Sequence, residues 1–588
     1  MRQPASKRSY LRDILIGTLQ RHVGATIVLL SAVIAGAFIN VWPSLVLRAT
    51  IDGPLLARTG NVWYYALLYL GAVVLIGLVD LVREYGATIL GQRLLLAVRS
   101  RMLGRLQILP MSYYLNVPAG ETISRLTADV DAVNRLFSAG LVSAGADLLK
   151  IFGFLAAIFA LSRPLGLLAL GSLPLVFVVT NHFRKNIYLR QLVIRKRVSD
   201  INTYIQETYA GMKVIKTYGK EDFFSDKFEP ILEEHRLAMN ANSIYDAWFP
   251  CVTQTVRAVV IALALYLAAG QNYGPLALGL SLGTLAGVTD LFIRLFEPIE
   301  AISSEIQTIQ QAFAGLNRIE QFFATETEPP ERFSSAVTWD GKRSDILVQD
   351  VHFAYQGADN VLLGASLQAS AGSKIAIAGR TGSGKTTLMH LMAGLYPVGS
   401  GQIRIGGVDP YAMMPSERRR LIGIVPQTVH IFHGTVHENI TLRDSAISKE
   451  QTEQSLRTVG LWEAICQLPE GVDALLGEGA ARLSFGQSQL LSLARAIVTD
   501  PPVLLLDELT SGLDSLTERF VLKAIREVSQ GRTIVTISHR LSGIIDAETV
   551  HIMERGKIME SGSPTELARK EGWYAIYKRL EDRGWRIS

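Results

Sequence analysis

Before residue 300 the chain carries six apolar runs, near Val23–Leu47, Val62–Val82, Leu136–Leu161, Pro164–Thr180, Ala247–Ala269 and Pro275–Phe296. Each is long enough to cross the roughly 30 Å hydrocarbon core of a bilayer as a helix. That leaves few folds open, because within lipid every backbone polar group must bond inside its own segment. Buried helices of a soluble bundle would show a polar face at helical period, and Ile27–Phe38 and Leu67–Val79 show little of one. A content of 49% hydrophobic and 19% charged residues is oilier than a soluble domain, yet 58 Lys and Arg with 53 Asp and Glu are too many for a chain that is membrane throughout. A membrane half and a soluble half are therefore expected. Disorder, collagen-like repeats and a disulfide scaffold are excluded; Cys251 and Cys466 fit a reducing compartment or plain core packing.

Basic residues set the orientation. Arg2, Lys7, Arg8, Arg12 and Arg21 precede the first run; Arg93, Arg99, Arg101, Arg105 and Arg125 follow the second; Arg184 to Lys220 supply more after the fourth. The alternate connections, Ile51–Asn61, Ser162–Arg163 and Gly270–Gly274, are short and nearly neutral. Basic loops stay cytoplasmic, which puts both termini and the soluble half on the cytoplasmic side of a cell (inner) membrane. The first run is too long for a signal-peptide core and lacks a small-residue cleavage site, so it is expected to remain.

The connections Arg93–Phe137 and Phe183–Asp246 alternate apolar and charged residues at helical spacing. They read as helices continuing far into the cytoplasm, each turning once, near Gly120–Asp129 and near Thr208–Thr217. After Phe323 the character changes. A transmembrane domain over 1–323 and a polar linker over 324–344, with Pro329 and Pro330, precede a domain over 345–588 in which β-branched strands alternate with helical segments, an α/β pattern.

That second domain carries the chemistry. Gly379-Arg-Thr-Gly-Ser-Gly-Lys-Thr-Thr387 follows a strand-like run, Lys374–Ala378, and opens a helix-like one, the context a phosphate-binding loop requires. Gly379, Thr381, Gly382, Ser383, Gly384 and Thr387 would turn backbone N–H groups around the phosphates of a nucleotide. Lys385 would meet the β- and γ-phosphates, and the Thr386 hydroxyl would ligate Mg2+. Downstream, Val503-Leu-Leu-Leu-Asp-Glu508 reads as a buried strand ending in two carboxylates. Asp507 would hold Mg2+ and Glu508 would act as general base on the attacking water. A nucleotide hydrolase follows.

Leu483-Ser-Phe-Gly-Gln487, ahead of the acidic strand, resembles the signature motif of ATP-binding cassette proteins, and an ordered set of further motifs matches that family. Gln427 resembles its Q-loop residue, with a catalytic and an Mg2+ role; Asp514 in Ser511-Gly-Leu-Asp514 resembles its D-loop, His539 its switch histidine, and Tyr355 the aromatic that stacks on adenine. Gly477-Glu478 looks like the loop by which exporters meet their membrane domain, and Gly120–Asp131 resembles the family's first intracellular turn. An α-helical six-helix transmembrane domain followed by an α/β P-loop NTPase cassette is the layout of a type IV (exporter-fold) half-transporter.

The resemblance implies an ATP-driven transporter working by alternating access, with two cassettes sandwiching two ATP molecules. Its cargo would be amphipathic drugs, lipids or peptides, with import of metal chelates on the same fold as the alternative reading. No nucleic-acid partner is expected. A channel or regulatory subunit fits poorly with an intact Glu508, and a peptide-processing exporter with so short a segment before the first run. The family's signature is LSGGQ; here Ser484, Gly486 and Gln487 are kept and Phe485 replaces the middle glycine. A ring there, with its limits on φ, would weaken the site built on a partner's phosphate loop. The resemblance is then to one subunit of a heterodimer, whose other subunit keeps the signature and has lost its catalytic glutamate; a homodimer is the alternative.

Two clusters are less specific. Arg257, Asp290 and Arg294 are candidates for a substrate cavity, because intramembrane charges face a cavity or pair with one another. Asp147 and Lys150 stand at pairing distance on the third helix. Arg418-Arg419-Arg420 reads as a solvated helix face.

Overall fold

The computed structural model describes residues 10–268, 280–328, 339–355, 359–477, 483–509, 513–538 and 546–582. Two compact units divide the chain: Met1–Gln107 with Ala119–Thr325, and Ile108–Pro118 with Glu326–Ser588.

The first unit is helical: α1 (Tyr10–Arg21), α2 (Val23–Ile39), α3 (Trp42–Thr50), α4 (Val62–Leu106), and, after a break, α6 (Ala119–Ser124), α7 (Val130–Arg135), α8 (Ser143–Leu161), α9 (Arg163–Ala210), α10 (Met212–Tyr218), α11 (Glu221–Ala268) and α12 (Leu282–Ala324). The break holds the short α5 (Met111–Asn116), which belongs to the second unit. Among the described residues, five helical stretches are long and apolar enough to cross a membrane: Val23–Ala57, Val62–Leu106, Ala119–Leu161, Arg163–Ala210 and Glu221–Ala268. The sixth apolar run begins outside the described residues and continues into α12, whose first half carries Asp290, Arg294 and Glu297. Phe292, Phe296, Leu291 and Leu295 of α12 are fully buried against Ile158 of α8 and Leu165 of α9.

The first turn is not at Gly120–Asp129, which is helical. It lies at 107–118, where Pro110 and Val117, the residue before Pro118, hold extended backbone on either side of α5. A residue preceding proline is pushed out of the helical region, so the two prolines set the turn and Gly120 does not. The second break is at Gly211 and Gly219, flanking α10, and the latter is left-handed at φ 57°.

The second unit builds its main sheet from β3 (Lys374–Ala378), β5 (Ile422–Val425), β8 (Val503–Asp507), β9 (Thr533–Ser538), β10 (Thr549–Glu554) and β11 (Lys557–Gly562), in the order β11-β10-β3-β9-β8-β5. All neighbours are parallel except the edge pair β10–β11. A three-stranded antiparallel sheet joins β1 (Ile346–Ala354), β2 (Asn360–Ala369) and β4 (Ser400–Ile405), and a small pair joins β6 (Gly434–Thr435) to β7 (Leu475–Leu476). The helices are α13 (Lys385–Met392), α14 (Pro415–Leu421), α15 (Val436–Thr441), α16 (Lys449–Thr458), α17 (Trp462–Cys466), α18 (Phe485–Ile497), α19 (Ser515–Val528), α20 (Pro564–Arg569) and α21 (Trp573–Asp582). The strands read as unbroken apolar runs because both faces are covered. Val503 and Leu505 face one core with Ile375 and Ile537; Leu504 and Leu506 face another with Val425 and Leu491. The C-terminal ends of β3 and β8 therefore open on one edge, where ligands of parallel sheets bind.

Candidate nucleotide site

The phosphate loop leaves β3 at Gly379, whose φ of 151° and whose contact with the Met553 carbonyl leave no room for a Cβ. Lys385 opens α13, is only 4% exposed, and donates from Nζ to the Gly379 and Arg380 carbonyls, each at 2.9 Å. Burial lowers its pKa, while Glu508, Asp507 and Glu554 hold its charge. The Thr386 hydroxyl is on an exposed residue at the start of α13, and Thr387 meets the Tyr355 hydroxyl at 3.1 Å. Tyr355 stands edge-on to Phe353 and Tyr396, with centroids 4.9 and 5.5 Å away, on the same wall as the loop.

Asp507 ends β8 at 2% exposure. Burial first, and Glu508 second, push its carboxyl up to about 6 against the pull of Lys385. Its Oδ1 and the buried Ser383 Oγ have no hydrogen-bond partner among the described residues. An orphaned carboxylate oxygen, an orphaned hydroxyl and a buried ammonium beside a glycine cradle are a donor set suited to Mg2+ and phosphate. Glu508 is set apart from Asp507 by its backbone: φ is 46°, its N–H donates to the Ile537 carbonyl at 3.1 Å, and its Oε2 accepts from Gln427 Nε2 at 2.7 Å. Gln427 is delivered by the end of β5, the neighbour of β8.

The signature segment forms the N-terminus of α18. Ser484 Oγ accepts from the Gln487 N–H at 3.2 Å while Gln487 Oε1 accepts from the Ser484 N–H at 2.8 Å, a complete capping box. Phe485 is the first helical residue and is not among the residues with positive φ, so this position imposes no glycine conformation. The expected restriction on φ is therefore not the consequence of the phenylalanine. What the ring does is stand 54% exposed at a helix N-terminus. The glycine that matters is Gly486, where a Cβ would collide with Thr517 Cγ2 of α19. Asp514 caps that helix, accepting from the N–H groups of Leu516 and Thr517, each at 3.1 Å, and from Thr517 Oγ1 at 2.6 Å. These bonds lower its pKa. His539, Glu478, Ser511 and Gly512 lie outside the described residues.

Sequence reasoning missed the β10–β11 turn. The Gly556 N–H donates to the Ser383 carbonyl at 3.0 Å, Met553 backs Gly379, and Glu554 acts on Lys385. Only the left-handed Arg555, φ 47°, and Gly556 mark a tight turn there, and nothing local ties it to the loop. The arginine run also departs from expectation. Arg420 fits the solvated face, 3.5 Å from Glu417, but Arg418 donates to the Gly394 carbonyl at 2.8 Å and Arg419 to the Thr441 carbonyl at 3.0 Å. Both cysteines are free and exposed, so neither is a core residue.

In the helical unit the candidate cavity charges are brought into pairs. Asp290 accepts from Ser44 Oγ at 2.6 Å and pairs with Arg294 at 2.9 Å, and Arg257 pairs with Glu300 at 3.2 Å. Asp147 pairs with Lys150 at 3.0 Å.

Comparison with known proteins shows the family and the fold. The family model described as ABC transporter transmembrane region matches residues 25–289, and that described as ABC transporter matches residues 362–511. A relative in Bacillus subtilis (strain 168), named "Probable multidrug resistance ABC transporter ATP-binding/permease protein", is 30% identical over 87% of this chain and 76% of its own length. An "ATP-dependent lipid A-core flippase" of Legionella pneumophila (strain Lens) is 29% identical over 87% of this chain and 86% of its own. In fold, the chain is similar to a bacterial Atm1-family ABC exporter solved with ATP bound, at a TM-score of 0.76 and 22% identity, covering 97% of this chain and 99% of that one.

Proposed function

This chain belongs to the ABC transporter family, and from that premise we propose that it is one half of a heterodimeric exporter or flippase for amphipathic drugs, lipids or peptides. It is a multi-pass membrane protein and a transport ATPase. The observation that carries the proposal is the meeting, at one sheet edge, of the loop bearing Lys385 with two carboxylates in different surroundings, Asp507 and Glu508. The names of the relatives, a multidrug transporter and a lipid flippase, favour export over import.

The residues divide the work. Lys385 exchanges the Gly379 and Arg380 carbonyls for phosphate oxygens, and the N–H groups of Gly379–Thr387 surround those oxygens. Thr386, Asp507 and Gln427 would hold Mg2+, which would supply charge neutralisation at the phosphates. Glu508, oriented by Gln427, takes a proton from the attacking water, His539 supports the same step, and Tyr355 receives the adenine. ATP binding closes two cytoplasmic cassettes, and their closure and release drive alternating access in the membrane half. In this half Arg257 ties α11 to α12 through Glu300 and Asp290 ties α12 to α3 through Ser44, while the Asp290–Arg294 pair lies within α12.

Phe485 assigns the second half. Its ring, 54% exposed at the start of α18, would crowd the nucleotide that a signature bonds on a partner's loop, which would weaken that site. The strong site combines Glu508 of this chain with an intact signature on a non-identical partner. A homodimer is the second reading, favoured by the complete capping box that Ser484 and Gln487 form around Phe485. Purification of the chain alone and in co-expression, followed by ATP-driven transport in liposomes, decides between them. Heterodimer-only transport is expected; full transport-coupled ATPase from the chain alone overturns the assignment.

A further inference from the structure

The helix α21 starts beside the phosphate loop. Its first N–H groups, those of Trp573 and Tyr574, donate to the Glu560 carboxylate of β11 at 2.6 and 3.3 Å. A carboxylate is favoured at that end of a helix, so the start of α21 is fixed to the sheet edge. Tyr574 is buried with Ala376 and Ala378 of β3, the strand that feeds the loop. The Trp573 ring then lies under Arg380, whose Cζ is 5.5 Å from the ring centroid.

Arg380 is the corner of the loop. Its carbonyl accepts from Lys385 Nζ at 2.9 Å and from the Ser383 N–H at 3.2 Å, while its side chain leaves the loop for the tryptophan. One residue therefore joins the interior of the cradle to the C-terminal helix. Neither side chain has a part in the hydrolysis described above. We infer that Trp573 is a positioning residue for nucleotide binding: by stacking on Arg380 it fixes the loop corner, so that the backbone donors are arranged before the phosphates arrive. Order supplied in advance is order that binding need not impose. This rests on the assignment of Gly379–Thr387 as the nucleotide site. Losing the stack should weaken ATP binding without touching the step at Glu508, because saturating nucleotide restores the loop.

ATPase rates of the full chain with its partner, measured against ATP concentration, test this. Trp573→Ala and Arg380→Ala should each raise KM for ATP about two- to fivefold, the range of an exposed cation–π contact, with kcat unchanged. Trp573→Phe should keep most of the wild-type KM, and the double variant should be no worse than either single one. Unchanged KM in both single variants, effects that multiply in the double variant, or a fall in kcat alone would each overturn the inference. Should Trp573→Ala fail to fold, the exposed Arg380 decides: KM raised by Arg380→Ala and kept by Arg380→Lys supports the stack, and any other pattern rejects it. Lys385→Ala, read by azido-ATP labelling of this chain, separates the two levels. Normal labelling refutes the nucleotide site itself; lost labelling beside a normal KM in the Trp573 variants refutes only the positioning role.

Discussion

Gln427 Nε2 donates to Glu508 Oε2 at 2.7 Å, joining the end of β5 to the end of β8 across the mouth of the nucleotide site. Glu508 is held there in the left-handed region, φ 46°, by its N–H bond to Ile537. A non-glycine residue in that region is strained by on the order of 1 kcal/mol or more and persists only where its surroundings dictate it. The carboxylate is thus aimed by backbone and glutamine together. Glu508→Gln should lower ATP turnover about a hundredfold or more, the usual contribution of a general base, while ATP binding persists. Phosphate release and nucleotide labelling on the same preparation check this; turnover above a tenth of wild type removes Glu508 from its role.

Phe485 and Gly486 should separate function from packing. Phe485→Gly removes a ring that is 54% exposed and belongs to neither main core, so the fold should hold while ATP at the partner's loop binds about tenfold more tightly, the worth of one regained bond to a charged group. Occlusion of labelled ATP in the heterodimer measures it, and unchanged affinity would show the ring to be neutral. Gly486→Ala places a methyl against Thr517 Cγ2 and should cost about 1–3 kcal/mol of stability. Adding Thr517→Ser, which keeps the hydroxyl on Asp514, should return most of that loss in thermal unfolding.

What the residues reveal in one dimension is the chemistry that is local in the chain. The loop between β3 and α13 reads out because its glycines, lysine and threonines lie within one turn, and the acidic pair because it ends a buried strand. Helix breaks are only partly legible: Pro110 and Pro118 flank the first turn and Gly211 and Gly219 the second, whereas Gly120 and the prolines Pro174, Pro230, Pro250 and Pro298 are accommodated inside helices. Contacts made by folding are not legible. Arg380 meets Trp573, Gly379 meets Met553, and Arg419 meets Thr441 only once the sheet has brought distant segments together. The conformation at Phe485 was also hidden, because a glycine suggests freedom of φ where the helix asks for none.

His551, on β10, is buried, and its Nδ1 lies 2.8 Å from Ser561 Oγ. Burial pushes its pKa down to about 4, against 6.5 for the free side chain. Above 6.5 the ring is neutral folded or unfolded, and it adds no pH dependence. As pH falls from 6.5 toward 4, the unfolded chain takes up a proton that the folded one refuses, so stability is lost across that window. At pH 5 the loss should be on the order of 2 kcal/mol. Thermal unfolding between pH 7.5 and 5 should show the wild type losing more stability than His551→Gln. Parallel losses in the two would show that this histidine does not set the acid limb.

Arg419 and Arg420 are neighbours with opposite prospects. The Arg419 guanidinium is half-buried, donates to the Thr441 carbonyl at 3.0 Å and the Ile440 carbonyl at 3.4 Å, and lies 3.4 Å from Asp444. Burial lowers its pKa and Asp444 opposes that shift. Removing it takes the side-chain donor from the Ile440 carbonyl and leaves the Thr441 carbonyl with the Asp444 N–H alone, so Arg419→Ala should cost about 1–3 kcal/mol, the penalty of buried acceptors that lose a charged donor. Arg420, 70% exposed beside Glu417, should cost within about 0.5 kcal/mol when replaced by alanine. Thermal unfolding of the two variants side by side settles which arginine is structural. Equally small effects would return Arg419 to the status of a solvated face, and a larger effect at Arg420 would reverse the assignment of the α14–α15 contact.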